Sequence, residues 1–225
     1  MTEPRSTTGP TSEVIVPRWE WRTFASDPAD LGDAVAVFAD LPTSEPLLSD
    51  EVYILPGSLG APIDRVVKVR GGLLDIKRLE ETDAHGLERW QPIFKTGFPL
   101  APDDVAAALD ALRLATPPPD RPVEDAAALG AVLAAASPDV RVVDVHKRRV
   151  RATLDGCSAE LTEVTAGGRT TTTVAAESPD PAAVVAAVEH LGLAGYVNRS
   201  YPRGLVDLLE DRPPRFAVID VGTNS

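Results

Sequence analysis

Val67-Lys68-Val69-Arg70 sets two cations on one face of a strand, and Lys147, Arg149 and Arg151 set three on one face of another. Side chains two residues apart on a strand point the same way. Lys77 and Arg89 lie in strand-like runs between these two segments. A face carrying several cations cannot pack on an apolar core, because unpaired buried charge is too costly. Either such faces meet water, or several of them surround a polyanion. Guanidinium forks match phosphate oxygens in bidentate fashion, so the second option points to a triphosphate or polyphosphate.

A second set is acidic. Arg18, Glu20 and Arg22 share one face of Arg18-Trp19-Glu20-Trp21-Arg22, while Trp19 and Trp21 share the other. Glu160, Glu163 and Glu177 fall on later strand-like runs. Carboxylates beside phosphate-binding cations can hold Mg²⁺ or Mn²⁺, which bridges phosphate oxygens and activates water. The plainer alternative is that each carboxylate pairs with a neighbouring Arg or Lys. Trp19 and Trp21 read as apolar packing under helices rather than a base-stacking platform.

The elements that must position these groups are legible from pattern. Residues 14–24 read as a first strand, rich in β-branched and aromatic types. Asp27-Pro28 offers a cap and a first helical position for a helix to about Leu41. Strands are expected at about 49–55, 63–71, 73–80 and 89–96, with Gly71-Gly72 as a hairpin turn. Helices are expected from Pro102 and over 123–136, separated by the proline-rich residues 115–122. Three more strands are expected at 140–154, 157–165 and 169–177, turned at Asp155-Gly156 and Ala166-Gly167-Gly168. Helices from about Pro181 to His190 and from Tyr201 to Leu209 follow. Eight antiparallel strands with polar inward faces predict an α+β fold: a closed β tunnel with helices packed outside. A solvated two-layer sandwich is the alternative.

Composition bounds the function. The 225 residues carry a formal net charge of -12, which argues against a nucleic-acid or acidic-membrane binder. Any anion site must therefore be a local concentration of positive charge. One cysteine, Cys157, and three scattered histidines exclude a disulfide framework and a thiolate or histidine-rich metal site. The absence of a signal-like apolar segment points to the cytoplasm. Residues 1–12 read as a disordered tail. Residues 211–225 read as a linker, then a strand and turn, Phe216 to Ser225, from a further domain.

The order of these elements resembles the CYTH, or triphosphate tunnel metalloenzyme, superfamily over about residues 14–209. The resemblance is carried by Trp19-Glu20-Trp21-Arg22, Asp50-Glu51-Val52-Tyr53, Val67-Lys68-Val69-Arg70 and Asp75-Ile76-Lys77. It continues in Val145-His146-Lys147-Arg148-Arg149, Glu160-Leu161-Thr162-Glu163-Val164 and Arg199-Ser200-Tyr201. It implies a basic tunnel that binds or hydrolyses triphosphates with a divalent metal; some members are adenylyl cyclases. The phosphate-binding set would be Arg22, Lys68, Arg70, Lys77, Arg89, Lys147, Arg149 and Arg199. Glu20 and Glu177 would be catalytic, holding Mg²⁺ or Mn²⁺ with Glu160. The acidic pattern departs from the family. Arg18 stands where a carboxylate is usual, Thr162 replaces an Asp, Ala175 replaces a Glu, and Gln91 replaces a Glu. The cations are kept and about half the acids are missing, so a non-catalytic module sensing polyphosphate or nucleotide is the alternative. Residues 216–225 resemble the opening of the exopolyphosphatase/guanosine-pentaphosphate phosphatase family. That implies a fused or neighbouring phosphatase domain as partner, with Asp220 near a metal.

Overall fold

The computed structural model describes residues 16–56 and 63–212. The tail at 1–12 and the strand-and-turn at 216–225 lie outside these residues. Eight strands form one closed antiparallel barrel: β1 (Arg18–Ala25), β2 (Leu47–Leu55), β3 (Arg65–Arg70), β4 (Leu73–Thr82), β5 (Glu88–Gly97), β6 (Arg141–Leu154), β7 (Cys157–Ala166) and β8 (Arg169–Ser178). Their order around the barrel is β1-β5-β4-β3-β2-β6-β7-β8, with β1 returning to β8. Five α-helices accompany it: α1 (Gly32–Asp40), α2 (Pro102–Ala111), α3 (Ala126–Ala136), α4 (Pro181–His190) and α5 (Tyr201–Leu209). The expected fold is the one the chain adopts.

Local chemistry sets the boundaries. Three hairpins turn on residue pairs with positive φ: Gly71 and Gly72 at 56° and 73°, Asp155 and Gly156 at 51° and 78°, Gly167 and Gly168 at 57° and 74°. Such two-residue turns match the twist of the strands they join. The Asp125 carboxylate accepts from the Ala128 N–H at 2.8 Å and starts α3 there. The helix expected from residue 123 therefore begins later, because Val123 is held in a bridge to Leu100. Asp180 caps α4 in the same way, with Pro181 in its first turn.

Alternation then sorts side chains between two environments. Outward residues pack under helices. Trp21 and Ala25 meet Leu31, Phe38, Val184 and Val188 from the α1 and α4 region. Val67, Val69, Leu74 and Ile76 meet Val105, Leu109, Leu129 and Leu133 of α2 and α3. Each fully buried Val or Leu is worth roughly 2 kcal/mol over leaving it in water. A one-residue slip of β3 would send Lys68 and Arg70 under the helices and forfeit that burial, so the register is fixed.

The two ends of the barrel interior differ. At one end, Phe24, Tyr53, Val66, Trp90 and Val164 pack on Tyr201, Leu205 and Val206. Helix α5 thus fills the barrel mouth instead of lying on its outside. It is seated through a gap in the ladder. β1 pairs with β5 only at Arg18, Trp19 and Glu20. Beyond these, Asn198 Oδ1 accepts from the Arg22 N–H at 2.8 Å, and the Arg199 N–H donates to the Arg22 carbonyl at 2.7 Å. The segment before α5 completes the bonding that β5 abandons.

Gly204 tests this seating. A Cβ there would lie 2.2 Å from the Phe24 ring. Replacing Gly by Ala inside a helix ordinarily gains about 1 kcal/mol. Here the clash with a ring wedged against Tyr201 dominates, at about 1–3 kcal/mol for overpacking. Gly204→Ala is expected to lower the urea midpoint of unfolding; an unchanged or higher midpoint would show that α5 is not packed into the barrel.

Candidate functional site: a cationic well inside the barrel

Seven basic side chains line one cavity of about 230 Å³ inside the barrel. Arg22 comes from β1, Lys68 and Arg70 from β3, Lys77 from β4, and Lys147, Arg149 and Arg151 from β6. They come from four strands, so the basic faces read from the sequence do converge rather than turning to separate solvent faces. Glu20, Glu160 and Glu177 line the same space, as do Tyr53, Trp90, Ser200 and Tyr201.

The cations are organised by a residue outside the expected set. The Glu51 side chain is 0% exposed. It accepts from Lys147 Nζ at 2.9 Å and from Arg149 Nη2 at 2.9 Å, and pairs with Lys68 Nζ at 3.5 Å. One buried carboxylate thus fixes three cations at the cavity wall. Glu51 shares a face of β2 with Tyr53, whose hydroxyl accepts from Lys147 Nζ at 3.0 Å. Tyr53 and Tyr201 stack at 5.2 Å, and Lys147 Nζ sits 3.8 Å from the Tyr201 ring centroid.

Burial and neighbours shift these groups strongly. Burial works to raise the Glu51 carboxyl, but Lys68 and Lys147 outweigh it and hold it at about 2. Burial pulls Lys68 down to about 8; Glu51 resists the fall, and Arg70 and Lys77 add to it. Lys147 falls well below its ordinary range, through burial and then the adjacent Lys68. Arg70 and Lys77 differ from these. Neither makes an ion pair among the described residues.

The carboxylates are already engaged. Glu20 Oε1 accepts from Arg22 Nε at 2.9 Å, and the same guanidinium lies 3.6 Å from Glu160 Oε1. Glu160 also meets Arg149 at 3.4 Å and Arg151 at 3.6 Å. Glu177 accepts from Arg18 at 3.1 Å. Burial favours a raised Glu160 carboxyl, yet Arg22 and Arg149 bring it to about 2. Arg22 therefore occupies the space between Glu20 and Glu160 that a bridging cation would need. No group of three ligating side chains suited to a metal occurs among the described residues. In this arrangement Glu20, Glu160 and Glu177 do not fit a divalent ion, and the plainer alternative of carboxylates paired with arginines describes them.

Two expected phosphate ligands lie elsewhere. Arg89 does not line the cavity. Glu88 and Trp90 point inward on β5, so Arg89 points out, over the Trp19 ring at 5.5 Å and against Glu81 at 3.1 Å. Arg199 precedes α5, and its side chain turns to Asp207 at 3.0 Å, away from the cavity. Its main chain is pinned to Arg22, which leaves the side chain on the far side of α5 from the cations. Arg151, in contrast, does line the cavity.

No family model matches this chain. No curated protein sequence matches it either. Its fold is similar to solved structures at low identity. One is a candidate adenylyl cyclase from Hippeastrum, described as having a dominant triphosphatase activity. It is 9% identical, with 87% of this chain and 96% of that chain covered and a TM-score of 0.46. A conserved hypothetical protein from Pyrococcus furiosus is 15% identical, covering 78% and 91%, with a TM-score of 0.42. A candidate adenylate cyclase from Bacillus halodurans is 10% identical, covering 81% and 93%, with a TM-score of 0.44. At these identities and TM-scores the descriptions hold for those proteins alone. No helix among the described residues is long and apolar enough to cross a membrane.

The shifted lysines would couple any anion bound in this cavity to protonation. Lys68 titrates at about 8 against an ordinary value of 10.5. The unfolded chain therefore holds the extra proton between those values, and folding stability gains from this group as pH rises through that window. Anion affinity runs the opposite way, falling as pH passes 8 and Lys68 loses its charge. A bound polyanion restores that charge, so binding at pH 8 is expected to take up about half a proton or more. Calorimetry in buffers of different ionisation heat measures this uptake. Glu51→Gln removes the carboxylate that supports Lys68 and should move the uptake to lower pH. Uptake that is absent between pH 7 and 9 would refute the assignment.

Proposed function

We propose that the barrel binds a linear inorganic triphosphate or short polyphosphate, or the triphosphate of a nucleotide, and holds it without cleaving it. The convergence of seven basic side chains on one cavity inside the barrel carries this reading. Against them stand Glu20, Glu160 and Glu177 in the lining and Glu51 beneath, so three positive charges are in excess when all are ionised. In a chain of net charge -12 that excess is local to the barrel interior. Low-dielectric walls strengthen its attraction for a multivalent anion. Arginine forks supply orientation, and Arg70 and Lys77 supply charge held in no ion pair among the described residues.

Metal-assisted hydrolysis needs a free carboxylate set, and the arginine pairing of Glu20, Glu160 and Glu177 favours retention over cleavage. A module of this kind would capture a phosphate chain for a phosphatase domain, the role supported by the resemblance of residues 216–225. Adenine recognition has no dedicated residue set in the lining.

The test is a calorimetric titration of the protein with tripolyphosphate in EDTA, repeated with Mg²⁺ or Mn²⁺, while orthophosphate is assayed. Binding in EDTA is expected, without phosphate release under either condition. Affinity should fall steeply as salt is raised from 50 to 200 mM, because the contacts are ionic. No binding at low salt would overturn the reading. Metal-dependent release of phosphate would overturn its non-catalytic half.

A further inference from the structure

Ser200 Oγ, Tyr201 Oη and Arg149 Nε are buried without a hydrogen-bond partner, and all three residues line the cationic cavity. Ser200 is 4% exposed and Tyr201 8%. Buried polar atoms are nearly always paired in folded proteins, so three unpaired donors on residues that line one cavity require an explanation. They cannot easily turn elsewhere. The Tyr201 ring is held by the stacked Tyr53 ring and the edge of Phe24, with Lys147 over its face. The Ser200 backbone is fixed by the preceding Arg199–Arg22 main-chain bond. Burial raises the Tyr201 hydroxyl above its ordinary range, so it remains a proton donor.

We propose that Ser200, Tyr201 and Arg149 Nε form an inner subsite for the terminal phosphoryl group of a linear phosphate chain, which enters the barrel end-first. This rests on the triphosphate-binding reading above. A terminal phosphoryl group offers three non-bridging oxygens and an internal one only two, which suits a wall of three unpaired donors. Behind this wall Trp90, Leu205 and Val206 fill the barrel with apolar side chains, so a chain cannot thread through. The subsite gives α5 a role in ligand choice in addition to closing the barrel.

Cyclic trimetaphosphate supplies the comparison, since it has no terminal phosphoryl group. Its affinity relative to linear tripolyphosphate should be measured by calorimetry for the parent chain and for Ser200→Ala, Tyr201→Phe and the double variant. The linear chain is expected to bind more tightly, and each single variant to weaken it about tenfold, the usual effect of losing a hydrogen bond to a charged group. Trimetaphosphate affinity should change little, so the linear-to-cyclic ratio collapses in the double variant. A preference caused only by the difference in total charge would persist there, and that result would overturn the proposal. Tyr201→Phe removes an unsatisfied buried hydroxyl, so its melting temperature should hold or rise by about 2 °C. Variants that stay folded and bind tripolyphosphate like the parent would also overturn it. Failure of the parent to bind either anion would instead defeat the triphosphate reading itself.

Discussion

One buried carboxylate makes the interior of this barrel possible. Lys68, Lys147 and Arg149 converge from β3 and β6 on a wall with almost no access to water. Without a counter-charge their mutual repulsion and desolvation would oppose closure of the barrel, since removing one partner of a buried ion pair costs about 3–5 kcal/mol. Glu51 answers all three at once, with both oxygens used. The arrangement leaves the cations fixed in direction and deficient in negative charge. Burial then pulls the lysines toward neutrality while Glu51 holds them back, which places Lys68 at a pKa where a ligand's charge decides its protonation.

The second constraint is the asymmetry of the barrel's ends. β1 leaves β5 after three residue pairs, and the unpaired edge is taken by Asn198 and Arg199. That substitution delivers Ser200 and Tyr201 to the cavity wall and lays α5 across the mouth. Gly204 lets the helix approach Phe24 closely enough to complete an apolar plug. Charge accumulates on one side of Tyr53 and Tyr201 and apolar packing on the other. The interior is consequently a well, with the aromatic pair at the boundary between its two environments.

Much of this was legible in alternation and turn chemistry. The Gly-Gly and Asp-Gly turns marked the hairpins, and Val-Lys-Val-Arg stated which face of β3 met helices and which met the cavity. Strand parity failed where the ladder is irregular. Register shifts fall between Ile76 and Lys77 and between Leu79 and Glu81, so the inward face of β4 and β5 cannot be extrapolated from one end. Arg89 and Arg199 joined the expected phosphate-binding set through the family resemblance, and in the structure both side chains turn away from the cavity, Arg89 to Trp19 and Glu81 and Arg199 to Asp207. Glu51 stood among the residues carrying the family resemblance, yet nothing local distinguished a carboxylate that anchors three cations from one that faces water. That distinction depends on β6 lying beside β2, a long-range pairing that hydrophobic pattern does not specify.

The pairing of the acids with arginines also shapes how a ligand would be held. Phosphate oxygens arriving at Arg22, Arg149 or Arg151 would compete with Glu20 and Glu160 for the same guanidinium groups. Such an exchange replaces one buried ion pair by another, so its net gain is small even though each pair is strong. Arg70 and Lys77 have no ion pair to give up among the described residues, and the unpaired donors of Ser200, Tyr201 and Arg149 have no hydrogen bond to lose. Affinity should therefore concentrate at these groups, with the arginine–glutamate pairs acting as a shaped and nearly neutral lining. A ligand with several phosphoryl groups can engage more of them than a single phosphate can. The geometry thus favours a chain over orthophosphate, through groups whose engagement breaks no existing pair rather than through the total number of cations.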